Sequence, residues 1–355
     1  MNKKIHVLSY GFRSPNSSAF LFPLIVFAKE LKQAGYALRF FEELSEDLTQ
    51  CDALMIEHKS ILERYELAHA LEIIGELAAK TRLIWCDQSD SSGTFSGQIL
   101  PCVHKYLKSQ ILADKSGYMR RYYGDRIYTD YYHEKYGVSD DVQYDYAPVT
   151  DEKDLEKIGV SWNSGLMNHG FFGPYLNRLR DKAGGLIPLF YAGKMGDPLA
   201  PRPQDLSCRM GISYKRATAR FQRELMAQKL AGRLPTDKLS RCAYFGELKS
   251  SKICVSPFGF GEITLKDFEA FLCGSMLLKP DMDHMTTWPR FFEKDVTYAA
   301  HDWDLGNLEE TIEKCLADEP KRTAIAQEGQ ARYLKYTRGK EAGALFTRHF
   351  KTLIA

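Results

Sequence analysis

The stretch from Lys252 to Pro280, KICVSPFGFGEITLKDFEAFLCGSMLLKP, constrains this chain more than any other. Ile253 to Val255 is a short apolar run, a loop containing Pro257, Gly259 and Gly261 interrupts it, and Ile263, Leu265, Phe268 and Phe271 then recur at helical spacing. Gly274 stops the helix, and Ser275 to Leu278 read as a second buried strand closed by Pro280. Strand, glycine loop, helix and strand make a βαβ unit. Its loop falls at the carboxyl end of a strand, where open parallel sheets bind their ligands.

The loop is followed by charge. Glu262, Lys266 and Glu269 stand at i, i+4 and i+7, a spacing that predicts one shared helix face. Beside the free N–H groups of a helix start, such a face suits a sugar nucleotide. The macrodipole favours phosphate, Lys266 would neutralise a diphosphate, and a carboxylate would grip vicinal hydroxyls. A solvated face carrying an ordinary Glu–Lys pair is the competing reading.

The succession of strand, Gly-rich loop, Glu262, a helix bearing Glu269 within Phe-Glu-Ala-Phe-Leu-Cys-Gly-Ser, and an apolar strand resembles the donor-binding segment of GT-B glycosyltransferases. It looks closest to the group-1-like branch that includes the spore-maturation CgeB-like proteins, with a fainter similarity to exostosin domains. The resemblance implies that Glu269 holds the nucleotide ribose, that Lys266 faces the diphosphate, and that Glu262 lies near the donor sugar. Glu262 and Glu269 are one residue closer together than in many retaining members, so the stereochemistry of transfer is left open.

A length of 355 residues is long for one core and predicts two domains. The net charge of +2, with acids and bases interspersed, argues against nucleic acid as the main partner. Eight cysteines are scattered without any metal-ligand spacing. With no secretory leader, anchor or long apolar run read in the sequence, a reducing cytoplasm is expected, and peripheral membrane contact stays open.

Lys4 to Ser9 enters a buried run, Ala19 to Gly35 is predicted helical, and Ala37 to Phe41, Ala53 to Ile56 and Arg82 to Cys86 are predicted strands, with a helix from Leu62 to Lys80. This alternation predicts a parallel sheet covered on both faces. The first loop lacks G-x-G-x-x-G, which removes the main support for a nicotinamide-dependent oxidoreductase. Asp87 and Asp90, in the polar cluster Asp87 to Gly93 after a strand end, are candidate general bases for an acceptor hydroxyl, with turn formation as the alternative. From Lys105 to Asp145 the chain is rich in Tyr, Arg and Lys; a packed amphipathic segment is the preferred reading over stacking on sugars or single-stranded nucleic acid.

In the second half, a strand is predicted at Leu186 to Tyr191, followed by Lys194 between Gly193 and Gly196, a candidate phosphate loop. Arg216, Arg220 and Arg223 recur at helical spacing and make an anion-facing stripe plausible, with a solvated helix as the alternative. His284, in the loop after Pro280, is a candidate contact for the donor sugar or phosphate. Val296 to Ala299 is predicted as a further strand, and helices from Leu308, Lys321 and Ala342 complete the alternation.

The expectation is an α/β chain of two Rossmann-like doubly wound domains facing a cleft. Residues 1–158 would form the acceptor side, 159–340 the nucleotide-sugar side, and 341–355 a helix crossing back. The expected activity moves a sugar from a nucleotide-activated donor, bound as co-substrate, to a glycan, lipid-linked or other hydroxyl acceptor. Neither a metal ion nor another cofactor is expected. A non-catalytic sugar-nucleotide or glycan-binding module is the alternative.

Overall fold

The computed structural model describes residues 2–144 and 146–355; Met1 and Asp145, the latter closing the tyrosine-rich segment, lie outside the described residues. In chain order the first strands are β1 (Lys3–Leu8), β2 (Tyr36–Phe41), β3 (Ala53–Glu57), β4 (Leu83–Asp87), β5 (Lys105–Lys108), β6 (Gln110–Leu112) and β7 (Ile158–Val160). Six of them form one parallel sheet in the order β2-β1-β3-β4-β5-β7, the reversal at β1 being the mark of a doubly wound sheet. Along β3 and β4, Met55, Ile84 and Cys86 enter one apolar cluster while Leu54, Ile56, Leu83 and Trp85 enter another. Both halves of the two-residue period are apolar because helices cover both faces.

The second unit holds β8 (Gln204–Ser207), β9 (Ser251–Val255), β10 (Met276–Pro280), β11 (Met285–Thr287) and β12 (Ala299–His301). Four are parallel in the order β12-β10-β9-β8. Cys254 and Leu277 face one cluster, and Ile253, Val255, Met276 and Leu278 face the other, so this smaller sheet is also sandwiched between helices. The α/β class and the two facing Rossmann-like units are as expected.

Contacts of several kinds tie the units together. β11 pairs antiparallel with β6. The helix Ile127–Tyr136 sends the buried Tyr128 hydroxyl to the Gly259 carbonyl at 3.0 Å and the Tyr132 hydroxyl to the Trp303 carbonyl at 2.8 Å, so the tyrosine-rich segment is a packed strut with satisfied hydroxyls. The final helix, Ala342–Ile354, lies on the first unit. Phe350 meets Tyr36 edge-on at 5.3 Å, and Lys105 donates to the carbonyls of Thr352 and Leu353, where a cation complements the helix C-terminus.

Local expectations were corrected at four places. The Ala19–Gly35 helix is two helices, Pro15–Val26 and Ala28–Gln33, capped by Ser14 at the start. The Leu62–Lys80 helix begins only at Leu67, after a short turn of helix at Lys59–Leu62. Leu186 to Tyr191 is not a strand, because Pro188 has no N–H to give a ladder, and β8 occupies the sheet edge instead. The strand expected at Val296 to Ala299 starts at Ala299.

Candidate functional site

The helix Leu265–Cys273 is fixed at both ends. Thr264 and Asp267 form a capping box, and Gly274 closes the helix in the left-handed region at φ 70°. Asp267 is also fully buried against Lys279 of β10 at 2.5 Å and accepts the Ser256 hydroxyl at 2.6 Å. Lys279 gives a further bond to the Glu262 carbonyl at 2.7 Å. The helix N-terminus therefore already holds its own anion, and the glycine loop is pinned between two strands.

Beside this N-terminus lies a cavity of about 260 Å³, into which Arg209, Arg223, Lys238, Lys266, Tyr244 and Glu269 project. Arg209 is paired with Glu247 at 2.6 Å. The other three cations have no carboxylate within ion-pair distance among the described residues. Arg223 spends its donors on the carbonyls of Phe258 and Gly211 at 2.7 and 2.9 Å, and Lys266 contacts the Arg209 carbonyl. Carbonyls satisfy donors without cancelling charge, so the pocket is electropositive.

Glu269 is the pocket's carboxylate. Burial pushes its pKa up to about 7, against the opposing pull of Arg241 at 3.4 Å. The Tyr244 hydroxyl is buried nearby without a hydrogen-bond partner of ordinary geometry. A carboxylate short of donors beside an idle hydroxyl is an arrangement suited to vicinal hydroxyls of a ligand.

Glu262 does not share this face. It precedes the helix and turns toward the first unit, where its fully buried carboxylate accepts the Ser91 hydroxyl at 3.0 Å and the Ser92 hydroxyl and N–H at 2.7 and 3.1 Å. Burial alone would raise its pKa, but His284 and Ser92 overcome this and hold it at about 2. Oε1 takes both serine hydroxyls and Oε2 the Ser92 N–H, which fits a clamp between units and not a group reaching a sugar. The i, i+4, i+7 face is thus divided: Lys266 and Glu269 share the pocket, Glu262 the interface.

The loop after β4 separates its two aspartates. Asp87 is buried and bound by Tyr106 at 2.7 Å, Lys108 at 3.1 Å and the Ser89 N–H at 2.8 Å; Lys108 and His58 overcome the cost of burial and hold its carboxyl well below the usual range. It is a buried ion pair, closed off from the cleft by its own partners. Asp90 is exposed in the cleft, its Oδ1 accepting from Asn16 at 2.9 Å, in a small hollow shared with Ser109, Ser164 and Ile263. Of the two, Asp90 alone has the access a base needs.

Three further candidates, Lys194, Arg216 and His284, lie elsewhere than expected. The loop of Lys194 is docked by Met195 and Gly196 onto the Leu272 carbonyl, at the far end of the helix from the pocket. Arg216 is buried against Asp140 at 3.2 Å and Asp125 at 3.4 Å, joining the units in place of facing an anion. His284 stands behind Glu262 at 3.4 Å and edge-on to Trp303 at 4.9 Å, outside the pocket. A Cβ on Gly261 would run into the Asp90 carbonyl, so this glycine permits the two loops to touch; Gly259 faces Arg223 with room to spare.

Sequence reasoning missed the parts brought by other segments. Arg209 and Lys238 come from loops and Tyr244 from the helix Arg241–Ser250, which meets the pocket only when it lies beside Leu265–Cys273; Arg241 of the same helix pairs with Glu269. Arg223 had a signal in the helical spacing of the arginines, but the spacing did not separate it from Arg216 and Arg220.

No curated protein sequence matches the chain significantly. Among solved structures, Anabaena HepE in complex with UDP-glucose aligns at TM-score 0.46 and 10% identity, covering 99% of this chain and 100% of that one. Sucrose-phosphate synthase from Thermosynechococcus elongatus aligns at 0.46 and 11%, covering 99% of each, and a glycosyltransferase from Rickettsia africae at 0.46 and 9%, covering 99% and 98%. Residues 216–341, about a third of the chain and the part carrying Arg223, the glycine loop, Lys266 and Glu269, match a family model described as glycosyl transferase-like.

Proposed function

We propose that the chain transfers a sugar from a nucleotide-activated donor to a hydroxyl acceptor. The observation that carries this reading is the electropositive pocket at the start of the Leu265–Cys273 helix, where Arg223, Lys238 and Lys266 lie without carboxylate partners around one buried carboxylate, Glu269. It falls within a segment whose family match is to glycosyl transferase-like proteins, apart from Arg209, Met210 and Gly211. Three uncompensated cations suit a diphosphate, and Glu269 with Tyr244 suits the ribose.

In the proposed reaction the acceptor oxygen attacks the anomeric carbon while the bond from that carbon to the diphosphate oxygen breaks. Asp90, across the cleft, takes the acceptor proton. Arg223, Lys266 and Lys238 meet the charge that develops on the departing diphosphate, so no divalent ion is required of the site. Glu269 and Tyr244 position the nucleotide and do not touch the reacting atoms.

A non-catalytic sugar-nucleotide or glycan-binding module is the rival. The hollow at Asp90 favours it, being only about 30 Å³ with the units clamped by Glu262. A panel of nucleotide sugars labelled in the sugar decides between them. Release of labelled sugar to water or to an added acceptor supports transfer, whereas tight binding of a donor with no turnover supports the module.

A further inference from the structure

Five of the large apolar side chains that this protein leaves exposed fall within residues 172–190. They are Phe172, Tyr175, Leu179, Leu186 and Phe190, with Phe172 64%, Leu179 53% and Leu186 87% exposed. Phe172, Tyr175 and Leu179 lie along one face of the helix Gly173–Lys182, counting its N-cap residue, and the exposed Arg178 and Lys182 lie on the same side. Between Phe172 and Phe190 there are three bases, Arg178, Arg180 and Lys182, and one acid, Asp181.

The position of this helix matters as much as its surface. The carbonyls of Gly170 and Phe171, just before it, accept from Arg241 at 2.9 and 2.6 Å, and Arg241 also pairs with Glu269 in the pocket. On its other side the Arg180 guanidinium stands 5.8 Å from the ring of Phe12, in the loop after β1. The exposed face is therefore held at the rim of the cleft, against both units.

We propose that this face, from Phe172 to Phe190, docks on an anionic lipid bilayer. Aromatic and leucine side chains flanked by Arg and Lys are the chemistry of a helix lying in the interfacial plane of a membrane, and the single acid makes an anionic surface the complementary one. A second protein would need a complementary anionic, apolar face, and a second copy of this chain would bring the same three bases against each other. No helix among the described residues is long and apolar enough to cross a membrane, so the contact is peripheral. Docking at the cleft rim would present the cleft to an acceptor held in the lipid; that consequence rests on the transfer reading, but docking itself does not.

Flotation of the full chain with vesicles tests it without any need for turnover. Binding is expected to vesicles of phosphatidylcholine mixed with phosphatidylglycerol, and to be weak with phosphatidylcholine alone. Leu179→Asp combined with Phe190→Asp is expected to weaken binding about tenfold or more. Arg178→Glu combined with Lys182→Glu is expected to remove the preference for the anionic vesicles. Leu186→Asp, at a loop position, serves if the first pair fails to fold, as judged by thermal melting. Absence of binding to the mixed vesicles overturns the proposal, as does binding that none of these substitutions alters. A dimer in light scattering that Leu179→Asp disperses would assign the face to a second copy and overturn it as well.

Discussion

Ser92, in the loop after β4, gives both its hydroxyl and its backbone N–H to the Glu262 carboxylate, at 2.7 and 3.1 Å, and so the loop that ends one sheet is stapled to the loop that ends the other. Glu262→Ala leaves these donors buried without an acceptor. The expected loss is about 2–4 kcal/mol of stability, read from denaturant midpoints, with Glu262→Gln losing less. The pH dependence follows from the depressed pKa. Ionised Glu262 stabilises the fold in full above its unfolded value of about 4.5, and the contribution disappears as pH falls toward 2. Acid unfolding curves of Glu262→Gln should therefore be flatter than wild type in that window; equal curves would free Glu262 for another role.

The proposed donor site turns on Glu269. If its carboxylate bonds ribose hydroxyls, that contact contributes roughly 1.5–3 kcal/mol, and Glu269→Ala should weaken binding of a nucleotide sugar about tenfold to a hundredfold in calorimetric titration. Glu269→Gln should cost less. Because burial raises its pKa to about 7, wild-type affinity should rise as pH climbs through that value, and the rise should be missing in Glu269→Gln. Stability runs the other way: the contribution of the raised pKa is complete below the unfolded value near 4.5 and is lost as pH passes about 7. Affinities that match wild type at every pH would remove Glu269 from the site.

Asp90 and Asp87 should separate cleanly in kinetics. Asp90→Asn is expected to lower kcat by about a hundredfold or more while leaving nucleotide affinity nearly unchanged, the signature of a lost general base. Asp87→Asn strands the buried Lys108 and should show first as a fall in thermal stability. Unchanged turnover in Asp90→Asn returns that residue to turn formation.

Phosphate charge met by side chains predicts insensitivity to chelation. Turnover should persist in excess chelator, and Lys266→Ala and Arg223→Ala should each reduce it. Abolition by chelator with recovery on adding Mn²⁺ or Mg²⁺ would contradict this.

The sequence by itself determined the alternation of strand and helix and the position of the glycine loop, because a two-residue apolar period and a 3.6-residue period are local properties that survive without knowing any neighbour. Lys252 to Pro280 was legible for that reason, and so was the placement of Lys266 and Glu269 on one helix. What only the tertiary structure decided is which charged groups face a cavity and which are consumed in holding the units together. Glu262, Arg216 and Asp87 looked like site residues in sequence, yet each meets partners far along the chain, at Ser92, Asp140 and Lys108. Arg209, Lys238 and Tyr244 carried no local signal and arrive at the pocket through loop and helix packing. Burial and pairing depend on contacts between distant segments. One-dimensional spacing can place a side chain on a face of its own helix, but it cannot say what that face meets.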